Sequence, residues 1–181
     1  MNYYVALLRG INVSGSNKIL MLDLKEMFVQ LGFANVKTYL QSGNVVFQTD
    51  STEELKIEQQ IKSEILKVFG FDISVWVLSK KSFSKIYKNN PFLNNKELDF
   101  KMIYTVFLKK TPDLQLFNKI KYNSDYPEEM VLDGKSIYMY YVNGYGRSKV
   151  NNNFFEAKLK VIATTRNWRT VTNINNLMET T

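Results

Sequence analysis

Cysteine and histidine are both absent from the 181 residues of this chain. Their absence excludes disulfides, a thiol nucleophile, a Ser-His-Asp triad, imidazole acid–base chemistry and the usual zinc sites. Any catalysis would have to use Ser, Thr, Tyr, Lys, Arg, carboxylates or a hard metal ion held by oxygen. We therefore expect binding rather than hydrolysis, and we predict neither a metal site nor a cofactor.

Long apolar runs are missing as well. No segment approaches the roughly 20 apolar residues that a membrane-spanning helix needs. The start MNYYVALLRG has neither the basic region nor the cleavage site of a signal peptide. We therefore predict a cytoplasmic protein without a membrane contact, and the sequence carries no prediction of its oligomeric state.

The composition is that of a globular protein of one ordinary domain or two small ones, with 45% hydrophobic and 23% charged residues. The 24 basic residues outnumber the 17 acidic ones and give a net charge of +7. This charge favours anionic partners, although a lysine-rich surface without a specific partner would give the same value. The excess is concentrated in residues 136–181, where six basic residues accompany two acidic ones.

The first part of the chain has the pattern of one complete βαββαβ unit. Its apolar residues change from strand-like runs to helical spacing and back, and glycines follow both predicted helices. Ser51 and Glu54 fit a capping box at the start of the second helix. In order, the predicted strands and helices cover residues 3–8, 21–31, 36–40, 45–49, 51–69 and 73–78.

The same order repeats in the second part. Thr111 and Pro112 fit the cap and first residue of a helix, and Asp133 with Gly134 predicts a type I′ hairpin turn. A final helix is predicted to begin near Thr164 or Thr165. The helix after Pro112 is predicted to place Leu114, Phe117 and Ile120 on one face. The other strands and helices before the final helix are predicted over residues 79–87, 101–108, 129–132, 136–142, 150–159 and 161–163.

The predicted fold class is therefore α+β, with two ferredoxin-like βαββαβ halves packed together and a C-terminal helix. The alternative is one larger mixed sheet built from the same elements. The predicted domain limits are 1–78 for the first half, 79–100 for a connecting helix and loop, and 101–181 for the second half with the final helix.

This topology has a consequence for the polar loop of residues 9–18, RGINVSGSNK, which follows the first strand. In a βαββαβ unit the first and second strands are parallel, so their ends lie at the same edge. The loop and the turn after the second strand should therefore be neighbours. The residues expected to line this rim are Arg9, Asn12, Asn17, Lys18, Gln41, Ser42 and Asn44.

A glycine-bearing loop between a strand and a helix can hold a phosphate with its backbone N–H groups. Gly10 and Gly15 have the spacing of a Walker A loop, but Ser16 and Asn17 stand where that motif needs lysine and a hydroxyl. We therefore reject a nucleotide-hydrolysing loop. Two interpretations stay open: a general anion-binding loop, and a connection whose Asn and Ser side chains bond its own backbone.

The second candidate group lies in TTRNWRT, residues 164–170. On a helix that starts at Thr164 or Thr165, Arg166 and Arg169 would share one face and could grip a phosphate or carboxylate, with Asn167 beside them. An internal ion pair is the alternative role for these arginines. Trp168 is assigned to the core in preference to a stacking platform.

A third candidate is Arg147 in the turn NGYGRS, which also precedes a helix. The nearby tyrosines could stack on bases or simply belong to a half-buried strand. These tyrosines are Tyr138, Tyr140, Tyr141 and Tyr145.

Several motifs together resemble one known family. They are ALLRGIN at 6–12, Asn17 with Lys18, LGF at 31–33, TYLQSGNVVF at 38–47, GRS at 146–148 and TTRNWRTV at 164–171. On these motifs the chain is similar to the bacterial uncharacterised family called domain of unknown function 1697. The resemblance implies an α+β protein and supplies no activity or catalytic residue. Ser14 and Leu20 depart from the glycine and proline that are frequent in that family.

The leading hypothesis is a protein that binds a phosphorylated or other anionic small molecule through the loop of residues 9–18. An RNA- or DNA-binding module is the first alternative, because ferredoxin-like sheets often bind nucleic acid on an aromatic face. The second alternative is an enzyme, for example a transferase acting on an anionic substrate, for which Lys18 is a candidate base.

Overall fold

The computed structural model describes residues 1–13 and 15–179. Ser14, one of the polar groups predicted for the first loop, lies outside the described residues. The strands and α-helices of the described residues are, in order, β1 (Asn2–Leu8), α1 (Met21–Gln30), β2 (Ala34–Tyr39), β3 (Asn44–Thr49), α2 (Glu54–Phe69), β4 (Val75–Ser79), α3 (Lys80–Lys88), β5 (Ile103–Leu108), α4 (Leu114–Lys121), β6 (Glu129–Asp133), β7 (Ser136–Tyr140), α5 (Asn152–Leu159), β8 (Ala163–Asn167) and α6 (Trp168–Glu179).

By compactness the chain divides into two units. The first comprises Met1–Lys85 with the described residues from Ile174 onward, and the second comprises Ile86–Asn173. The domain limits predicted from the sequence differ from this division, because they were drawn from the repeated βαββαβ pattern. They place α3 in the connecting segment and all of α6 in the second half.

The strands of each unit form a four-stranded antiparallel sheet. The order is β2-β3-β1-β4 in the first unit and β6-β7-β5-β8 in the second. In both, the first two strands of the unit are parallel to each other and separated by the third, as a ferredoxin-like unit requires. The predicted α+β class, with two βαββαβ halves and a C-terminal helix, is confirmed.

The first unit has an apolar core between one face of its sheet and two helices. Alternate residues of β1 face this core because successive strand residues point to opposite sides. Leu24, Met27 and Phe28 of α1 bury the face created by spacings of three and four residues. Three isoleucines at spacings of four do the same for α2, at positions 57, 61 and 65.

The second unit repeats this packing. Val106 and Leu108 of β5 lie in a core with residues of β7, and α4 contributes Phe117 and Ile120. Phe155 of α5 is fully buried in the same core. Both units therefore bury one face of the sheet under the two helices that cross over it.

The prediction that the last helix begins at Thr164 or Thr165 is wrong. Both residues belong to β8, which pairs with β5 along its whole length, and α6 begins only at Trp168. The two threonines are β-branched and favour a strand, so their hydroxyls do not mark a helix start here. The cap is Asn167, whose Oδ1 accepts the Thr170 N–H at 2.8 Å.

Two other predicted features, a helix start and a turn, are also corrected. Asp113, rather than Thr111, caps α4 and accepts two backbone N–H groups. The hairpin between β6 and β7 turns at Gly134 and Lys135, because Asp133 still pairs with Ser136. Only Gly134 of the two turn residues has a positive φ, whereas a type I′ turn needs both.

The predicted capping box at Ser51 and Glu54 is wrong as well. The residue before α2 is Glu53, and no side chain caps this helix. Glu54 points elsewhere: its Oε1 accepts the Ser79 N–H at 2.8 Å and the Ser82 hydroxyl at 3.3 Å. The carboxylate thus joins the start of α2 to the junction between β4 and α3.

This corrected role is testable. We expect Glu54→Ala to lower the free energy of unfolding by about 1–2 kcal/mol, because a charge-assisted bond to a partly buried N–H is lost. Ser51→Ala, the matched change at the other predicted position, should have almost no effect. Urea denaturation of both variants measures the difference, and equal losses would contradict the corrected role.

Among the described residues, no helix combines the length and the apolar character needed to cross a membrane.

Candidate functional site

The loop that follows β1 is organised by the side chain of Asn12. Its Nδ2 donates to the Ile19 carbonyl at 2.9 Å and to the Gln41 carbonyl at 3.0 Å, and its Oδ1 accepts the Ile19 N–H at 2.9 Å. The bonds to Ile19 close the loop, and the bond to Gln41 joins it to the turn after β2. The two segments that the topology rule predicted to be neighbours are therefore in contact, with Asn12 as the link.

The backbone of this loop adopts an unusual number of left-handed conformations. Gly10, Asn12, Gly15 and Asn17 have φ values of +68°, +55°, +81° and +47°. Asparagine tolerates this region better than other non-glycine residues, because its short side chain can bond locally. Asn17 does so by donating from Nδ2 to the Gly10 carbonyl at 3.0 Å. The amide side chains therefore fix the shape of the loop.

The turn that contacts this loop is also held internally. Asn44 is completely buried and donates from Nδ2 to the Tyr39 carbonyl at 2.8 Å and to the Ser42 hydroxyl at 3.0 Å. The Gly43 carbonyl accepts the Leu8 N–H at 2.8 Å. Asn44 and Ser42 thus stabilise the turn through hydrogen bonds within it.

Between the loop and the turn lies an open cleft of about 410 Å³. Lys18 brings a positive charge to it. Arg9 is half-buried just after β1, where its N–H donates to the Ser74 carbonyl at 2.9 Å, and it is not among the described lining residues. The residues that line the cleft are Asn12, Gly15, Lys18, Ile19, Leu20, Met21 and Gln41.

The first helix begins at this cleft. Leu20 precedes α1 in an extended conformation, is 71% exposed, and has no side-chain oxygen with which to cap the helix. The first N–H groups of α1 therefore lack a capping side chain at Leu20 and carry the partial positive charge of a helix N-terminus. Asp23 in the first turn supplies some opposing negative charge. Since Leu20 and Met21 both line the cleft, the helix start opens onto it.

The remaining candidates lie in the second unit and are not grouped on one helix face. Arg166 is in β8, only 7% exposed, and its Nη1 donates to the Thr164 hydroxyl and the Thr165 carbonyl, both at 2.9 Å. Burial lowers the pKa of this guanidinium to about 10, and the nearby Tyr145 acts in the opposite direction. The Arg166–Arg169 face predicted from the sequence is therefore wrong, because the first is a buried strand residue and the second an exposed helix residue.

Asn167 and Arg147, two further candidates, lie at separate positions in the second unit. The Asn167 side chain caps α6, as described above. Arg147 is exposed on a short 3₁₀ helix, Tyr145–Arg147, which follows β7. These residues do not line the first-unit cleft.

Of the four tyrosines near Arg147, Tyr140 and Tyr145 are half-buried, and Tyr138 and Tyr141 are buried. Tyr138 and Tyr141 are 1% and 0% exposed, and their hydroxyls donate to the Ile86 and Val150 carbonyls, each at 2.9 Å. Tyr145 stacks on Tyr104 with ring centroids 4.9 Å apart. Burial raises the pKa of Tyr104, Tyr138, Tyr141 and Tyr145.

The start of α1 is the part of the site that sequence reasoning missed. The periodic apolar residues of the helix predicted where it begins, and Leu20, a residue unable to cap, immediately precedes them. A predicted helix start directly after a residue that cannot cap it indicates uncapped N–H groups, and this signal was present in the sequence. In the described part of the chain, no group of three or more carboxylates is placed to hold a metal ion.

The fold and the cleft define an α+β protein with two ferredoxin-like units and a candidate site at the end of the first strand. The chain belongs to the family described as Protein of unknown function (DUF1697), whose profile matches residues 1–138. Its structure is similar to that of a conserved bacterial protein from Streptococcus pneumoniae, with a TM-score of 0.76 and 22% identity over 98% of each chain. None of the curated proteins compared with the chain matches it.

Proposed function

We infer that the first unit binds a small anionic molecule, such as a phosphate ester, in the cleft beside Asn12. The observation that carries this proposal is the start of α1, which has no side-chain cap and opens onto a cleft that also contains Lys18. Uncapped N–H groups at a helix start together with a lysine are a favourable setting for a phosphate or carboxylate.

The hydrogen bonds of the site indicate which residues hold the loop and which are available to the ligand. The side chains of Asn12 and Asn17 are bonded to the backbone of the loop and hold its shape. Lys18 and the first N–H groups of α1 then make the contacts with the anion. The exposed Leu20 side chain lies beside them and suits an apolar portion of the same ligand.

Nucleic acid is a weaker fit. Two of the four tyrosines that suggested a stacking surface, Tyr138 and Tyr141, are buried and hydrogen-bonded, so base stacking on these two would require the second unit to open. A nucleic-acid partner would also produce binding that weakens steeply with added salt. A phosphorylated small molecule in a defined cleft predicts a shallower dependence.

We expect thermal-shift and calorimetric titrations with pyrophosphate, sugar phosphates and nucleotides to identify at least one stabilising anion. Lys18→Ala should weaken its binding by about tenfold, because one charge-assisted contact is lost. Lys25→Ala removes the same charge from an exposed position on α1 and serves as the matched control.

Two results would contradict the proposal. One is the absence of any stabilising anion among pyrophosphate, sugar phosphates and nucleotides. The other is an equal loss of affinity in Lys18→Ala and Lys25→Ala, which would show that net charge rather than the cleft attracts the anion.

A further inference from the structure

The second unit contains a groove of its own, with a volume of about 620 Å³. This volume is within the range of small-molecule sites in proteins, roughly 300–1,000 Å³. Every residue that lines it belongs to the second unit, so it is separate from the cleft at Lys18. The lining residues are Tyr87, Leu93, Phe100, Lys101, Trp168, Arg169, Thr172 and Asn173.

The apolar wall of this groove is aromatic. Tyr87 and Trp168 stack with parallel rings, at an interplanar angle of 2° and a centroid distance of 5.3 Å. Trp168 is only 4% exposed, so the position of the pair is fixed by packing. Phe100 lines the same groove and is 52% exposed, which is unusual for a large apolar side chain. A flat apolar molecule could cover this ring and lie against the stacked pair.

The groove also carries positive charge. Lys101 and Arg169 both line it, and the described lining residues include no carboxylate. Arg169 is the second residue of α6, where a cation opposes the helix dipole unless an anion is close by. Asn173 donates from Nδ2 to the Arg169 carbonyl at 2.8 Å, so this bond is to the Arg169 backbone and not to its guanidinium. The charge of the groove thus complements an anionic group on the ligand.

We propose that this groove is a second binding site, for a small molecule that combines a flat aromatic body with one carboxylate, sulfonate or phosphate group. The aromatic body lies against Phe100 and the Tyr87–Trp168 pair, and the anionic group is bound by Arg169 and Lys101. A guanidinium can hold such a group through two parallel hydrogen bonds, which makes Arg169 the specificity-determining residue.

The test uses two fluorescent probes with the same aromatic body, 8-anilinonaphthalene-1-sulfonate and the uncharged N-phenyl-1-naphthylamine. We expect the sulfonate to bind the full chain, and Arg169→Ala to weaken it by about tenfold through the loss of a charge-assisted contact. Arg169→Lys should restore part of the affinity. The uncharged probe should be affected little by either change, and Lys110→Ala, an exposed change outside the groove, should leave both affinities unaltered.

The position of the probe is checked through tryptophan fluorescence. The chain has two tryptophans, so Trp76→Phe leaves Trp168 as the only one. Sulfonate binding should then quench Trp168, with Phe100→Ala reducing the affinity of both probes. Circular dichroism establishes that each variant is folded. The proposal is overturned if Arg169→Ala binds the sulfonate like the wild type, or if Lys18→Ala weakens it while Arg169→Ala does not.

Discussion

Gly43→Ala is expected to destabilise the protein by about 3–4 kcal/mol, because a steric clash adds to an unfavourable backbone conformation. A Cβ at this position would lie 2.7 Å from the Leu8 Cβ and 2.8 Å from the Ile11 Cδ1. Both neighbours are fully or almost fully buried and cannot move aside without disturbing the core. The backbone also has φ +73°, which is unfavourable for alanine.

Gly70→Ala provides a closely matched control. Gly70 has the same φ of +73°, but nothing lies within 4 Å of the position that its Cβ would occupy. This variant should lose only the cost of the left-handed backbone, about 1 kcal/mol. Guanidinium denaturation gives both values, and the difference between them isolates the steric term. Similar losses in the two variants would show that the approach of Gly43 to Leu8 and Ile11 does not constrain the fold.

The contact at Gly43 also matters for the candidate site. The Gly43 carbonyl accepts the Leu8 N–H, and the Gln41 carbonyl in the same turn accepts from Asn12. An alanine that pushes the turn away from β1 should therefore move one side of the cleft. We expect anion binding by Gly43→Ala to weaken even at temperatures where the variant is folded, whereas Gly70→Ala should bind normally.

The second large effect is expected at alkaline pH. Burial raises the pKa of Tyr138 and Tyr141, with smaller contributions from Asp133 in the first case and from Tyr145, Glu128 and Tyr104 in the second. In the unfolded chain a phenol ionises near pH 10. The stabilisation from keeping these phenols neutral is therefore complete below about pH 10 and is lost as the pH rises above it.

The magnitude follows from proton linkage. Each phenol that is neutral in the folded state and ionised in the unfolded state lowers stability by about 1.4 kcal/mol per pH unit. Arg166 acts in the opposite direction, because its pKa of about 10 lies below that of an unfolded arginine. One group cannot offset two, so the free energy of unfolding should fall steeply above about pH 10.

Urea titrations between neutral and alkaline pH measure this slope. The double variant Tyr138→Phe with Tyr141→Phe should be less stable at neutral pH, because two hydrogen bonds of about 1 kcal/mol each are lost. Its stability should nevertheless decline less steeply above about pH 10 than that of the wild type. Tyr122→Phe is the control, since that side chain is 75% exposed. An unchanged slope in the double variant would mean that other groups cause the alkaline loss.

The sequence predicted the fold class because its periodicities are local. Apolar runs of strand length, helical spacings such as Leu24 to Phe28, and a glycine after each of the first two helices are visible without tertiary information. The topology rule for parallel strands then placed the turn at Gln41 beside the loop at Asn12, and the hydrogen bond between them agrees.

The predicted helix starts that are wrong lie at residues whose type is common in two different structural roles. Threonine is common both at helix caps and in strands. Thr164 and Thr165 are in a strand because they pair with β5. Glutamate at the start of α2 could complete a capping box, yet Glu54 bonds Ser79, which is 25 positions away along the chain. In both cases the competing partner is distant in sequence, so local patterns cannot choose between the alternatives.

What the sequence determined by itself is the order of strands and helices, the absence of thiol and imidazole chemistry, and the polar character of the loop after β1. Only the tertiary structure decided how the candidate residues are used. Asn12 and Asn44 are bonded to backbone groups, Arg166 is buried in a strand, and Lys18 and the uncapped start of α1 face a cleft. The physical reason is that the partner of a polar group depends on which backbone groups the fold brings within about 3 Å, and residue type alone does not specify that partner.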